Sequence, residues 1–308
     1  MYGFIGQRAL KALLTVLAVL LFVFFGSRLT GDPISMMFPE GLTQQQHDAL
    51  THRYGLDRSM LDQFWVYLKN AATGDFGVSI TENRPVTTVV FGAAAQTLKL
   101  GVWAFLLSSI AGIAIGIAAS LKPEGRLSKT LMFLVCAGYS IPGFIVAILL
   151  VLIFGYYLQL LPSLGQGGPA SYVLPVVALS ARPAASVARY VQNSLVDVLA
   201  QQYIRTARAK GMGQRIVILK HAFRNALVPL VTVVGMLVIE IISGALFIEV
   251  VFSWPGVGKC LIDAVLDKDF PVLQFGVVML SMVVIVVNLL VDLLYGVIDP
   301  RLRKGVAA

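Results

Sequence analysis

The sequence predicts an all-α membrane protein: six transmembrane helices, both termini in the cytoplasm, and a long cytoplasmic connection between helices 4 and 5. Three observations carry that prediction: an apolar composition, six apolar runs of spanning length, and an excess of positive charge confined to alternate connections. Hydrophobic residues make up 57% of the 308 and charged residues 13%, against about a quarter charged in soluble domains.

A helix needs roughly 20 apolar residues to cross the hydrocarbon. The segments 10–29, 98–121, 131–157, 173–191, 226–248 and 273–298 meet that length. Arg8 and Lys11 precede the first run as in a secretory signal, but Ser27-Arg28-Leu29 makes a poor cleavage site, so the run is read as an uncleaved helix. Orientation follows the Lys and Arg residues of the connections. Lys122, Arg126 and Lys129 face only Glu124 in the loop 122–130. Arg205, Arg208, Lys210, Arg215, Lys220 and Arg224 face only Asp197 in 192–225, and Arg301, Arg303 and Lys304 face Asp299 in the tail. These three segments belong inside. The intervening ones are acid-leaning (30–97; 249–272, with Glu249, Asp263, Asp267 and Asp269 against Lys259 and Lys268) or uncharged (158–172). The net charge of +8 is thereby a topological signal, and nucleic acid is not expected as a partner.

Other chemistries find little support. Cys136 and Cys260 form no framework, and His47, His52 and His221 are scattered, so no metal site is expected. Hydrolysis of ATP needs a phosphate-cradling GxxxxGK[ST] loop, which is absent. The imitation Gly256-Val257-Gly258-Lys259-Cys260 has Ser253 where the leading glycine belongs, ends in cysteine, and lies on the outer face. No cofactor is expected in this chain.

Positive-inside bias explains the sign of the 194–225 loop, not its length or its helical texture. Leu195, Val198, Leu199, Tyr203 and Ala207 recur at steps of three and four, with Asp197, Gln201, Arg205 and Arg208 on other faces. Ser194 is the expected N-cap and Gly211 the left-handed C-terminal residue. A second helical stretch, RIVILKHAFRNA, then leads into the fifth span. This helix, turn, helix element fits either a basic face against anionic lipid or a rigid knob that a soluble partner grips.

The stretch YIRTARAKGMGQRIVILKHAFRNALVP at 203–229 resembles the matching loop in B-type inner-membrane permease subunits of dipeptide and oligopeptide ABC importers. So do Gly31-Asp32-Pro33, Arg84-Pro85-Val86, Thr97-Leu98, Ser140-Ile141-Pro142, Phe252 to Gly258, Val287 to Tyr295, and Asp299-Pro300-Arg301, in order along most of the chain. The resemblance implies an importer permease without catalytic residues, its ATP and Mg used by partner subunits. It implies a second, homologous permease in a heterodimer, two ATPase subunits and an extracytoplasmic peptide-binding protein. In ABC importers generally, the matching loop carries a Glu-Ala-Ala, three residues, Gly pattern that docks on the ATPase. Here Arg205, Thr206 and Ala207 stand where that triplet belongs, and Lys210 precedes Gly211 at the glycine. The glutamate is missing, and Pro229 lies further downstream than the general pattern puts its proline. Ala207 and Gly211 are the residues expected to make the close contact. Nickel, glutathione or another small solute is the alternative cargo.

Two domains are expected: 1–97, the first transmembrane helix plus an extracytoplasmic helical cap, and 98–308, a five-helix core carrying the coupling loop 194–225. The cap contains the amphipathic stretch LTQQQHDALTHRYGLDRSMLDQFWVYLKNA. Arg182 and Glu240 lie deep in spans 4 and 5, where each ionised group costs at least ~2.5–3.5 kcal/mol and so needs a partner. Their depths match, so they are expected either to pair across the interface or to face a polar cavity. They are also the candidates for the translocation path, Glu240 as a ligand for a peptide amino terminus. A different class, an autonomous secondary transporter, would use the same two residues as a coupling pair. Gly112, Gly116, Gly235 and Gly244 suggest close helix packing, and Pro142 and Pro183 are places to bend.

Overall fold

Backbone amides in hydrocarbon must be satisfied within their own segment, which favours helices. The computed structural model describes residues 2–29, 42–53, 56–165, 167–213, 216 and 223–298, and among them the chain is helical without a named strand. The helices are α1 (Tyr2–Leu29), α2 (Gln44–Arg53), α3 (Met60–Thr73), α4 (Val86–Ser120), α5 (Arg126–Ser140), α6 (Gly143–Leu150), α7 (Val173–Leu199), α8 (Gln202–Ala209), α9 (Phe223–Val251), α10 (Val257–Leu266) and α11 (Phe270–Ile298). A π-helical turn, Val151–Tyr157, continues α6, and a 3₁₀ turn, Pro169–Tyr172, leads into α7. Gly31-Asp32-Pro33, Arg215, Lys220, His221 and the Asp299-Pro300-Arg301 tail lie outside the described residues, as do the side chains of Arg208, Arg224 and Asp292.

Among the described residues, four helical segments are long and apolar enough to cross a membrane: Gly6–Gly26, Val86–Ser120, Pro169–Leu199 and Phe270–Val291. A fifth is the pair α5 and α6 with its π turn, if that pair counts as one span. The 29-residue α9 covers the fifth expected segment. The third expected span is not one helix: α5 and α6 meet at 101°. The cause is local. Pro142 has no amide proton and disfavours the helical region for its predecessor, so Ile141 sits at φ −84°, ψ 125°. Pro183, by contrast, lies inside an uninterrupted α7. The second expected span also begins earlier, because Val86, Val90 and Ala93 are buried and extend the helix N-terminally.

The chain forms two compact units, Met1–Ala95 with Lys259–Val286, and Gln96–Gly258 with Val287–Ala308. In the first, Phe24 at the end of the α1 apolar stretch packs on Phe64 and Tyr67 of α3, ring centroids 5.3 and 5.6 Å apart. Ser59 caps α3 by accepting from the Asp62 amide, and Gly74, at φ 78°, ends it. The Arg84-Pro85-Val86 segment turns back on Gly77 and Ser79 through Ser79 N to Arg84 O (2.9 Å) and Val86 N to Gly77 O (3.1 Å). The hydroxyls of Ser79 and Thr81 then donate to the buried Asp269 carboxylate at 2.5 and 3.0 Å, and its other oxygen accepts from Val272 N at the start of α11.

Burial pushes the Tyr67 phenol up to about 12, and among the described residues its hydroxyl has no hydrogen-bond partner. Its neutral form therefore contributes stability that is present below the unfolded value of 10.0 and is lost as pH rises to about 12. Replacing Tyr67 by Phe removes an unsatisfied hydroxyl, so thermal unfolding in detergent should show a variant equally stable or up to ~1 kcal/mol more stable. A clear loss of stability would show that the hydroxyl has a partner.

In the second unit α7 is the central helix. It packs against α5, α6 and α9, and its buried stripe Ala178, Ala185, Val187, Ala188, Val191 and Leu195 runs almost its whole length. Glycines let α4 approach it: a Cβ on Gly112 would lie 2.5 Å from Val187 Cβ, and one on Gly116 2.7 Å from the Ala188 oxygen. Gly235 in α9 likewise leaves room for Val291 of α11.

Candidate translocation and docking sites

Arg182 on α7 and Glu240 on α9 meet. Arg182 Nε lies 2.9 Å from Glu240 Oε1, and Ser186, one turn along α7, donates to Glu240 Oε2 at 3.5 Å. The pair is not sealed in the bundle, since the Arg182 side chain is 50% and the Glu240 side chain 26% exposed. Tyr139, next to the break after α5, completes the group. The Arg182 guanidinium is 4.9 Å from its ring centroid and that of Arg189 is 4.6 Å from it. Sequence reasoning missed Tyr139 and Arg189. The available signal was the spacing Arg182, Ser186, Arg189, which places all three on one face of a helix.

Charge on an exposed helix face at this depth is incompatible with contact to lipid tails. By contrast, α4 exposes Leu98, Val102, Trp103, Leu106 and Ile110, a surface suited to hydrocarbon. The groove of about 830 Å³ lined by Trp103, Leu106, Ile110, Tyr172, Val173 and Val177 is similarly apolar and lacks groups to hold a polar solute. The face shared by α5, α7 and α9 is therefore the candidate path.

A second polar centre surrounds Glu249, which is 0% exposed. α9 continues through it to Val251, so this acid belongs to a helix and not to the connection where the charge count placed it. Thr97 Oγ1 donates to Glu249 Oε1 at 2.6 Å while accepting from Val257 N at 2.9 Å, and Gly258 N donates to Oε2 at 2.6 Å. A Cβ at Gly256 would overlap the carboxylate. Trp254, fully buried, stacks edge-on against Tyr172 and donates to the Gln96 oxygen at 3.3 Å. The glycine spacing that imitates a phosphate loop thus cradles the chain's own carboxylate. Glu249→Ala should remove the carboxylate that the Gly258 amide and the Thr97 hydroxyl both donate to. We expect a loss of about 1–3 kcal/mol, read as a lower unfolding temperature in detergent; an unchanged temperature would mean that water replaces the carboxylate.

The candidate docking residues lie on α8. Ser194 does not cap this helix, because the apolar stripe of α7 carries the helix on to Leu199, and α8 starts only at Gln202. The break shifts the phase, so Ile204 (0% exposed) faces inward and Tyr203 outward. Ala207 is also buried, in a cluster with Val187, Val191, Leu195, Ile204, Val233 and Leu237. Arg205, Thr206, Lys210 and Gly211 are exposed. Gly211 has φ 77°, and Met212 N closes the helix end on the Ala207 oxygen at 3.3 Å.

Residues 112–304 match the family model described as binding-protein-dependent transport system inner membrane component. The chain belongs to that family. It is accordingly a multi-pass permease of the cytoplasmic (inner) membrane and a permease subunit of an ABC importer, a class of subunit without catalysis of its own. The permease is 36% identical over 304 residues to the glutathione transport system permease protein GsiC of Escherichia coli K12, covering 98% of this chain and 99% of that protein. The glutathione transport system permease protein GsiC of Shigella flexneri serotype 5b matches at the same identity and coverage. Its fold is similar to a chain of the MetNI methionine ABC transporter in an inward-facing conformation, with TM-score 0.60 at 18% identity over 69% of this permease and 97% of that chain. A chain from an amino acid ABC transporter crystallised with histidines has TM-score 0.50 at 16% identity, covering 70% of the permease and 94% of that chain.

Proposed function

We propose that this permease is one half of a heterodimeric path for di- or oligopeptides, driven inward by ATP. The chain crosses the membrane six times with both termini in the cytoplasm, two ATPase subunits dock on the inner face, and a binding protein delivers peptide from outside. Arg205, Thr206, Lys210 and Gly211 form the docking surface on α8, while Ala207, packed into the bundle, transmits its movement to α7. The ATPases supply ATP and Mg chemistry, and this chain needs no cofactor. Closure of the motor around ATP shifts α8 and with it the helices it packs on, opening the path alternately to each side.

The observation that carries the proposal is the partly exposed Arg182 and Glu240 pair on a face that cannot meet lipid. Glutathione, itself a short γ-linked peptide, is the second reading, favoured by the likeness to glutathione permeases along 98% of the chain. Uptake in proteoliposomes holding the assembled complex distinguishes them. Alanyl-alanine and glutathione are each offered with the binding protein and ATP. Entry of the dipeptide supports the first reading, entry of glutathione alone the second, and entry of neither removes both.

A further inference from the structure

We propose that Arg189 and Tyr139 form a carboxylate-binding site on the translocation path, at which the permease holds an anionic group of its passing substrate. The inference deepens the reading of the chain as an import permease of short peptides, and rests on it.

Arg182 and Arg189 are seven positions apart on α7, two turns of helix, and so share a face. Their guanidiniums lie 4.9 and 4.6 Å from the centroid of one ring, that of Tyr139. Two cations on one π-system repel each other unless one is neutralised. Arg182 is neutralised, by Glu240 Oε1 at 2.9 Å from its Nε. Among the described residues no carboxylate comes within the 4.0 Å of an ion pair with Arg189, whose side chain is exposed. The group as a whole therefore carries one excess positive charge. It sits on a helix face where lipid tails are excluded, and the ring replaces only part of the water that Arg189 loses.

Geometry selects the ligand. A guanidinium over an aromatic ring still has a planar fork of N–H donors, the arrangement that receives the two oxygens of a carboxylate. The break at Ile141-Pro142 places Tyr139 at the mouth of the 101° bend between α5 and α6, beside chain that is no longer helix. Glu240 has one oxygen on Arg182 at 2.9 Å and the other 3.5 Å from the Ser186 hydroxyl, so its charge is already balanced by a cation of the protein. What the site offers is a place for an anion: the carboxylate terminus of a peptide, or either carboxylate of glutathione.

The test uses the assembled permeases and ATPases in nanodiscs without nucleotide, treated with phenylglyoxal, which modifies accessible guanidiniums. Mass spectrometry follows Arg189, with Arg58, exposed just ahead of α3, as the internal control. Glutathione and alanyl-alanine should each slow modification of Arg189 by at least about fivefold, alanyl-alaninamide by less than about twofold, and none should protect Arg58. Equal protection by the amide, or none by the acids, overturns the proposal. So does an Arg189 that is unreactive from the start, because an acid of the second permease would then already hold it. Uptake gives a second readout: Arg189→Gln should lower kcat for glutathione or alanyl-alanine about tenfold, with Arg189→Lys in between because it keeps the charge and loses the fork. Equal uptake by all three chains overturns the proposal as well. Should the native complex import neither solute, the importer reading fails on that result, whereas the labelling pattern is read independently of transport.

Discussion

Glu240→Ala is expected to destabilise the permease by about 1–3 kcal/mol and to abolish uptake. Removing one partner of a fully buried ion pair costs about 3–5 kcal/mol because the other charge is stranded. Here Arg182 is 50% exposed and Glu240 26% exposed, so water and neighbouring chains screen part of that cost and the lower range applies. Arg182→Met should be damaging too, since it strands Glu240 with only the long Ser186 contact at 3.5 Å. The double variant Arg182→Met/Glu240→Ala strands no charge and should recover part of the stability while uptake stays low. A double-mutant cycle on unfolding in detergent would then give a coupling of at least ~1 kcal/mol. If Glu240→Gln leaves uptake and peptide preference unchanged, the pair is a structural clamp and has no part in the path.

Gly211→Asp is expected to cut ATP-driven uptake at least about tenfold while the subunit still reaches the membrane. Gly211 holds φ 77°, which an L side chain adopts at a cost of about 1–2 kcal/mol, although a Cβ there would meet nothing within 4 Å. The strain falls on the α8 C-terminus, where Met212 N reaches back to Ala207. The added carboxylate stands beside Lys210 on the exposed side of α8. Both effects act on the docking surface and neither acts on the path, so co-purification of the ATPase subunits should weaken in parallel with uptake. Arg205→Glu should reproduce the loss without the backbone strain. Unimpaired ATPase association and uptake in both variants would return α8 to a basic helix lying against anionic lipid.

The apolar runs and their connections made the helices legible because segment length and composition depend little on tertiary context. The Arg182 and Glu240 pairing was legible for a related reason. Two ionisable residues at matched depth in adjacent hydrophobic helices have few ways to be satisfied. Other features were not legible. The proline at 142 marked a place to bend, but the apolar pattern runs straight through 131–157, and nothing in it encodes an angle of 101°. Ser194 resembled an N-cap, yet an N-cap needs a break before it, and Val187, Val191 and Leu195 bury against the bundle without interruption. The same continuity concealed the inward turn of Ile204. Glu249 looked like one more outer acid because its burial depends on Thr97, 152 positions earlier, closing over it together with Gly258. Arg189 falls near the end of the apolar segment 173–191, and its place beside the Arg182 and Glu240 group depends on Tyr139 of α5, whose ring it shares with Arg182.

The central claim is that this chain provides a path and a lever while another subunit supplies the energy. The most direct measurement is accumulation of radiolabelled alanyl-alanine and glutathione in proteoliposomes, comparing the assembled complex with and without ATP against this permease reconstituted alone under a proton gradient. The account predicts accumulation in the complete complex with ATP and none in the other vesicles. Accumulation by the permease alone, driven by the gradient and abolished by Glu240→Gln, would contradict it and make Arg182 and Glu240 the coupling pair of an autonomous transporter.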